Sequence, residues 1–297
     1  MTKMIKDQAA GLRGIARLHT SDAVRILTVA GGKSGVGKTS VIVNLAIALA
    51  KNGKQVLILD ENPRHNNVNA NLGLKARYDL LHVINRDKPL EQVILQGPDG
   101  VSVLTAMRGI HSLAKLNPTD QEWLVKCFGE LSKPIDVVLV DTAIGGASHV
   151  LPLSLASQQV LILISGSASS ITDAYKLIKI LSKKYAKQHF LILVNRVESE
   201  QKAQEIFNNI SKVARQYLSV SLEFMGCILN DEKLMRATQL CRPVVDAFPL
   251  AASSAGFRRL AENMLHCSYT DDYSGGVEIF MRRLMRTIHL REANITV

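Results

Sequence analysis

Val24-Arg25-Ile26-Leu27-Thr28-Val29-Ala30 runs directly into Gly31-Gly32-Lys33-Ser34-Gly35-Val36-Gly37-Lys38-Thr39-Ser40. The first segment is apolar and rich in β-branched residues, the pattern of a strand buried on both faces. In the second, Gly32 to Thr39 fits G-x-x-x-x-G-K-[ST], and Lys38–Asn52 continues with helical period. Strand, glycine loop and helix in that order form a phosphate cradle. Gly35 and Gly37 let the backbone approach phosphates closely, and the loop N–H groups and helix N-terminus hold negative charge. The motif gives Lys38 the β- and γ-phosphates and Thr39 a Mg²⁺ ion, with Ser34, Val36 and Ser40 completing the wall. A glycine-rich turn that binds nothing is the bland alternative, and the flanking strand and helix argue against it.

Similar apolar runs recur at Gln55–Asp60, Val101–Ala106, Ile135–Asp141, Gln159–Ser165, Phe190–Asn195 and Leu222–Leu229. Helix-period segments alternate with them at Thr119–Leu131, Ile171–Lys187, Gln201–Tyr217 and Phe257–His266. This alternation predicts an α/β fold, a mostly parallel doubly wound sheet with helices on both faces and its ligand at the strand C-terminal rim. Residues 1–20 read as an N-terminal tail, 21–267 as the nucleotide-binding domain, 268–276 as a linker and 277–297 as a separate helix.

At 47% apolar and 21% charged residues, disordered and collagenous classes are excluded. The excess of 36 Lys and Arg over 26 Asp and Glu points to an anionic partner without choosing among nucleotide, nucleic acid and acidic lipid. Cys127, Cys227, Cys241 and Cys267 form no CxxC pair, so they read as free thiols in a reducing cytosol, not as a metal or iron–sulfur site.

Asp141 ends an apolar strand and opens Asp141-Thr142-Ala143-Ile144-Gly145. A carboxylate there can hold a Mg²⁺-bound water, and the Gly145 N–H can meet a γ-phosphate. Asn195, in Val194-Asn195-Arg196-Val197, can read an adenine edge, whereas Arg196 and Glu198 fit the guanine pattern poorly, which favours ATP. With Lys33 placed five residues before Lys38, the loop resembles the deviant Walker A signature of the MinD/ParA family of P-loop ATPases, with Ser34 in place of one of its glycines. The resemblance implies an ATP-dependent homodimer in which Lys33 crosses to the partner's nucleotide. It also implies a first switch of the form D-x-D-x-G-x-x-N-x-D, whose first Asp helps hold Mg²⁺ and whose second positions the attacking water. Here Asp60 is kept, but Asn62, Arg64 and Asn69 depart from that form. An amide cannot accept a proton, and loss of a positioned base costs ~10²–10⁴ in rate. Binding is therefore expected to be sound and hydrolysis weak, unless another group positions the water.

Residues 170–179, 194–199 and 242–249 resemble the flagellar-number regulators, the FlhG or FleN branch of that family. Asp7-Gln8-Ala9-Ala10-Gly11-Leu12-Arg13 matches the branch's DQAxxLR element. The resemblance implies that Asp7, Gln8, Leu12 and Arg13 stimulate an FlhF-type GTPase. It implies a FleQ-type transcription activator and flagellar switch-complex components as further partners. A ParA/MinD-like partitioning or division-site ATPase that binds DNA or membrane is the alternative, and the C-terminal helix and DQAxxLR element favour the flagellar reading over DNA.

On a helix, Val277, Phe280, Met281, Leu284, Met285 and Ile288 share one face, with Arg282, Arg283 and Arg286 opposite. Two readings stand: an interfacial anchor on an anionic membrane, or a helix docked on the protein's own surface or on a partner. The first resembles the family's membrane-targeting helix, and it predicts a cytoplasmic protein peripherally bound to the inner membrane.

Overall fold

The computed structural model describes residues 24–62, 67–142, 147–267 and 275–293, with backbone only for 147–151 and 290–293. In chain order come β1 (Arg25–Ala30), α1 (Lys38–Lys51), β2 (Val56–Asp60), α2 (Val68–Asn71), α3 (Leu80–Ile84), α4 (Leu90–Val93), β3 (Leu95–Gln96) and β4 (Val101–Thr105). Next are α5 (Met107–Ser112), α6 (Pro118–Gly129), β5 (Val137–Asp141), α7 (Ala147–Ala156), β6 (Gln159–Ser165), α8 (Ala168–Tyr185) and β7 (His189–Val197). The chain closes with α9 (Glu200–Leu218), β8 (Ser221–Leu229), α10 (Glu232–Gln239), α11 (Val244–Ala247), α12 (Ala252–His266) and α13 (Val277–Ala293).

The described strands make one eight-stranded sheet in the order β3-β4-β2-β5-β1-β6-β7-β8. The long strands are parallel, and only the two-residue β3 runs antiparallel, against β4. Side-chain alternation divides each central strand between two layers. Leu27 and Val29 of β1 pack under α1 and α12, whereas Ile26 and Ala30 face the opposite layer with α3, α6 and α8. Between β1 and β6 the chain reverses its direction of travel across the sheet, with β5 and β6 on either side of β1. The crevice at the carboxyl end of such a strand is where open α/β sheets bind ligands, and the glycine loop leaves β1 there.

The C-terminal helix forms where its periodicity predicts, but its apolar face points inward. Val277, Phe280, Met281, Leu284 and Met285 are each 5% exposed or less and join the core with Leu80, Leu124 and Phe128, with Ile288 packed against it. This corrects the interfacial-anchor reading for this conformation: five of the six residues offered as a lipid-facing surface are buried beside α6 and α7, and Ile288 is half-buried. The amphipathic pattern specifies that one face leaves water, not what covers it. Polar contacts line its edge: Arg282 pairs with Glu122 of α6, and His289 Nε2 lies 3.3 Å from Gln121 Nε2. Most of the expected 268–276 linker lies outside the described residues, and Gly275 O accepts from Val24 N at 3.3 Å. No helix among the described residues is long and apolar enough to cross a membrane.

Candidate functional site

The cradle is built from the loop outward. Gly37 precedes α1 with a φ of 98°, a left-handed conformation that favours glycine. A Cβ there would also meet Asn195 Nδ2 at 2.5 Å. Gly32 is required for a different reason, since a Cβ would lie 2.2 Å from the α8 backbone at Asp173. The first glycine of the motif is thus a packing residue against a neighbouring helix.

Two successive residues of β7 clamp the loop. Asn195 Nδ2 donates to Val36 O at 2.8 Å, and Arg196 Nη1 donates to Gly35 O at 3.1 Å. The β7–β8 register shifts between Asn195 and Val197, and Arg196 takes a φ of 57°. A non-glycine residue in the left-handed region is uncommon, and here it lets neighbouring side chains on a strand reach the same loop. Asn195 Oδ1 is buried without a hydrogen-bond partner, a free acceptor inside the site.

The metal corner lies where β2 and β5 end side by side, with Asp60 opposite Asp141 in register. Thr39 Oγ1 donates to Asp141 Oδ2 at 2.6 Å, and Asn62 Nδ2 donates to Thr39 Oγ1 at 3.1 Å. Asp60 spends its two oxygens on the first-switch backbone, accepting from Asn62 N at 2.9 Å and Val68 N at 3.1 Å. It therefore shapes the loop around Asn62. Burial raises the proton affinity of Asp60, and the neighbouring Asp141 raises it further. Burial also raises that of Asp141, opposed by the Thr39 hydrogen bond and the Lys38 charge. Asp141 Oδ1 is buried and unpartnered.

These residues fit Mg²⁺. No cluster of three or more His, Cys, Asp or Glu suited to a metal exists among the described residues, and Mg²⁺ bound with nucleotide takes one or two protein oxygens, completing its shell with water and phosphate. The Thr39 hydroxyl and the orphaned Asp141 oxygen are such a pair.

Lys38 is buried at the loop, while Lys33 is exposed and donates to Ser169 Oγ at 2.9 Å. A cavity of about 410 Å³ opens from Lys38, Thr39 and Asn62 to Asn195 and on to Leu234, Met235 and Thr238 of α10. Sequence reasoning did not name that last wall. The Asp231 side chain fixes it, capping α10 at Lys233 N (2.8 Å) and accepting from Ser253 N of α12 (3.0 Å). Asn44 of α1 ties in α11, its Oδ1 accepting from Val244 N at 2.7 Å. An Asn-Asp pair before an amphipathic helix is a capping signal, but only the fold carries it to the loop. Gly145, Arg64 and the Asp7, Gln8, Leu12 and Arg13 element lie outside the described residues.

Residues 27–244 match the CobQ/CobB/MinD/ParA nucleotide-binding domain. The chain belongs to the MinD/ParA family of nucleotide-binding proteins. Within the family it is 37% identical to the antiactivator FleN of Pseudomonas aeruginosa, over 89% of this chain and 94% of that protein. It is 26% identical to the flagellum site-determining protein YlxH of Helicobacter pylori, over 88% and 90% of the two chains. Among solved structures, the cell division protein MinD of Aquifex aeolicus superposes with a TM-score of 0.63 at 26% identity, covering 83% of this chain and 99% of that one. The P-loop fold and the FleN resemblance expected from the motifs are thus both found.

Proposed function

We propose that this protein is an ATP·Mg²⁺-dependent dimeric switch that regulates flagellar number or placement. The observation that carries the reading is near-full-length similarity to FleN and YlxH, joined to a double-lysine phosphate loop over a formed cavity. Lys38 and the loop N–H groups hold the phosphates, Thr39 and Asp141 hold the metal with Asp60 shaping the loop behind them, and Asn195 reads the base through its free Oδ1. When bound, Mg²⁺ would supply neutralisation of phosphate charge. Lys33, exposed at the rim, reaches the partner protomer's nucleotide. Asn62 gives the attacking water no base, so hydrolysis is slow and the loaded state long-lived.

Residues 1–20 then present Gln8 to an FlhF-type GTPase, with a FleQ-type activator and switch-complex components as downstream partners. Membrane binding by α13 requires its release from the core, because its apolar residues are covered in this conformation.

The test is sedimentation with a non-hydrolysable ATP analogue. Lys38→Ala should lose nucleotide binding, and Lys33→Ala should bind as a monomer. A Lys33→Ala protein that dimerises like the parent contradicts the proposed role of Lys33, and a parent that binds no ATP contradicts the whole reading.

A further inference from the structure

The contact between Asn62 and Thr39 has its own chemistry. A threonine hydroxyl has one proton to give, and Thr39 gives it to Asp141 at 2.6 Å. Whatever approaches Thr39 Oγ1 from the other side must therefore donate. Asn62 does so through Nδ2 at 3.1 Å, and turning the amide over would set two acceptors against each other. Asn62 is itself buried, with its backbone N–H pinned to Asp60. Its amide thus sits at a corner where the side chains of Asp60, Glu61 and Asp141 are all buried. An aspartate at position 62 could not donate to the hydroxyl, and it would bring a fourth carboxylate into a poorly solvated space.

We propose that Asn62 is a positioning residue that stands in for the metal: its N–H holds the Thr39 hydroxyl in the metal-free site, and Mg²⁺ binds by displacing it. A cation arriving on Thr39 Oγ1 meets an N–H already directed at the same atom, and the positive end of that N–H dipole repels it. The amide therefore keeps the corner ordered without metal and reduces what the metal adds to nucleotide affinity. The same substitution that removes the water-positioning carboxylate also makes the site less dependent on Mg²⁺. This rests on the reading of the cavity as a Mg²⁺–nucleotide site.

The experiment uses the full chain with a fluorescent ADP analogue, which removes hydrolysis from the readout. The ratio of Kd in EDTA to Kd in saturating MgCl₂ is measured for the parent, Asn62→Ala and Asn62→Asp. Removing the amide should raise the ratio about 2- to 12-fold, the equivalent of one net hydrogen bond. Asn62→Asp should raise it further. Without nucleotide, Asn62→Asp should melt at least about 2–4 °C below the parent in EDTA and recover in MgCl₂, whereas the parent should ignore the metal alone. An unchanged or lower ratio in Asn62→Ala overturns the inference while leaving nucleotide binding intact. If the parent binds no ADP, the functional reading fails, and the melting comparison alone decides the role of Asn62: equal midpoints of the parent and Asn62→Asp in EDTA overturn it.

Discussion

The phosphate loop and α13 are held in opposite ways. Around the loop, single polar clamps converge from separate strand ends: Asn195 and Arg196 on its carbonyls, Asp141 and Asn62 on Thr39. Along α13, an apolar stripe of Val277, Phe280, Met281, Leu284 and Met285 fills a groove over α6 and α7, and polar contacts only trim its edge. Polar clamps fix geometry to within tenths of an ångström but add about 0.5–1.5 kcal/mol each. A buried apolar side chain adds about 1.5–3 kcal/mol and says little about direction. One region therefore concentrates function at small stability cost, and the other concentrates stability.

That contrast can be broken by substitution. Leu284 is fully buried, so Leu284→Ala should lower unfolding free energy by about 2–5 kcal/mol while nucleotide affinity stays near that of the parent. Exposed Arg286→Ala on the same helix should change stability by no more than about 0.5 kcal/mol. Urea titration of both variants checks this, and equal small effects would mean that α13 is not docked in solution.

The converse variant is Asn195→Ala. It should weaken nucleotide binding by about 1–3 kcal/mol, roughly 5- to 150-fold, because the loop loses its Val36 clamp and the base its acceptor. The melting temperature should move far less than in Leu284→Ala. Isothermal titration beside thermal unfolding separates the two.

A pH effect lies beside α13. Lys187 Nζ donates to the α7 carbonyls of Ser154 (3.1 Å) and to Ser157 O (2.8 Å). Burial pushes its ammonium down to about 8 from an ordinary 10.5, with Arg283 of α13 adding to the shift. The folded state thus sheds this proton at lower pH than the unfolded chain does, so the unfolded chain binds more protons between those values. Stability from this group rises as pH goes from about 8 towards 10.5. Denaturation midpoints compared just below and well above pH 8 should show a rise in the parent that Lys187→Met flattens.

How much of this is legible in the chain follows from the same contrast. The loop reads directly because its residue types are dictated by backbone geometry: glycine at a φ of 98°, lysine and threonine at fixed spacing after a strand. The seven long strands and the helices between them read from buried β-branched runs and helical period. Short elements do not, since α2, α4 and α11 have four residues each, about one turn, and β3 has two. The face of α13 reads as apolar, but its partner is set by α6 and α7, distant in sequence. Arg196 and the α10 wall reach the site only through the β7 bulge and the Asp231 cap. Asn62 is visible as a departure from the family pattern, whereas its donation to Thr39 needs coordinates.

The most direct test of the account is steady-state ATP turnover by the parent and Asn62→Asp, with ATP affinity measured on the same preparations. The parent should bind ATP·Mg²⁺ but turn it over slowly, and Asn62→Asp should gain about 10-fold or more once a carboxylate faces the water. Rapid turnover by the parent, unchanged by Asn62→Asp, would contradict it.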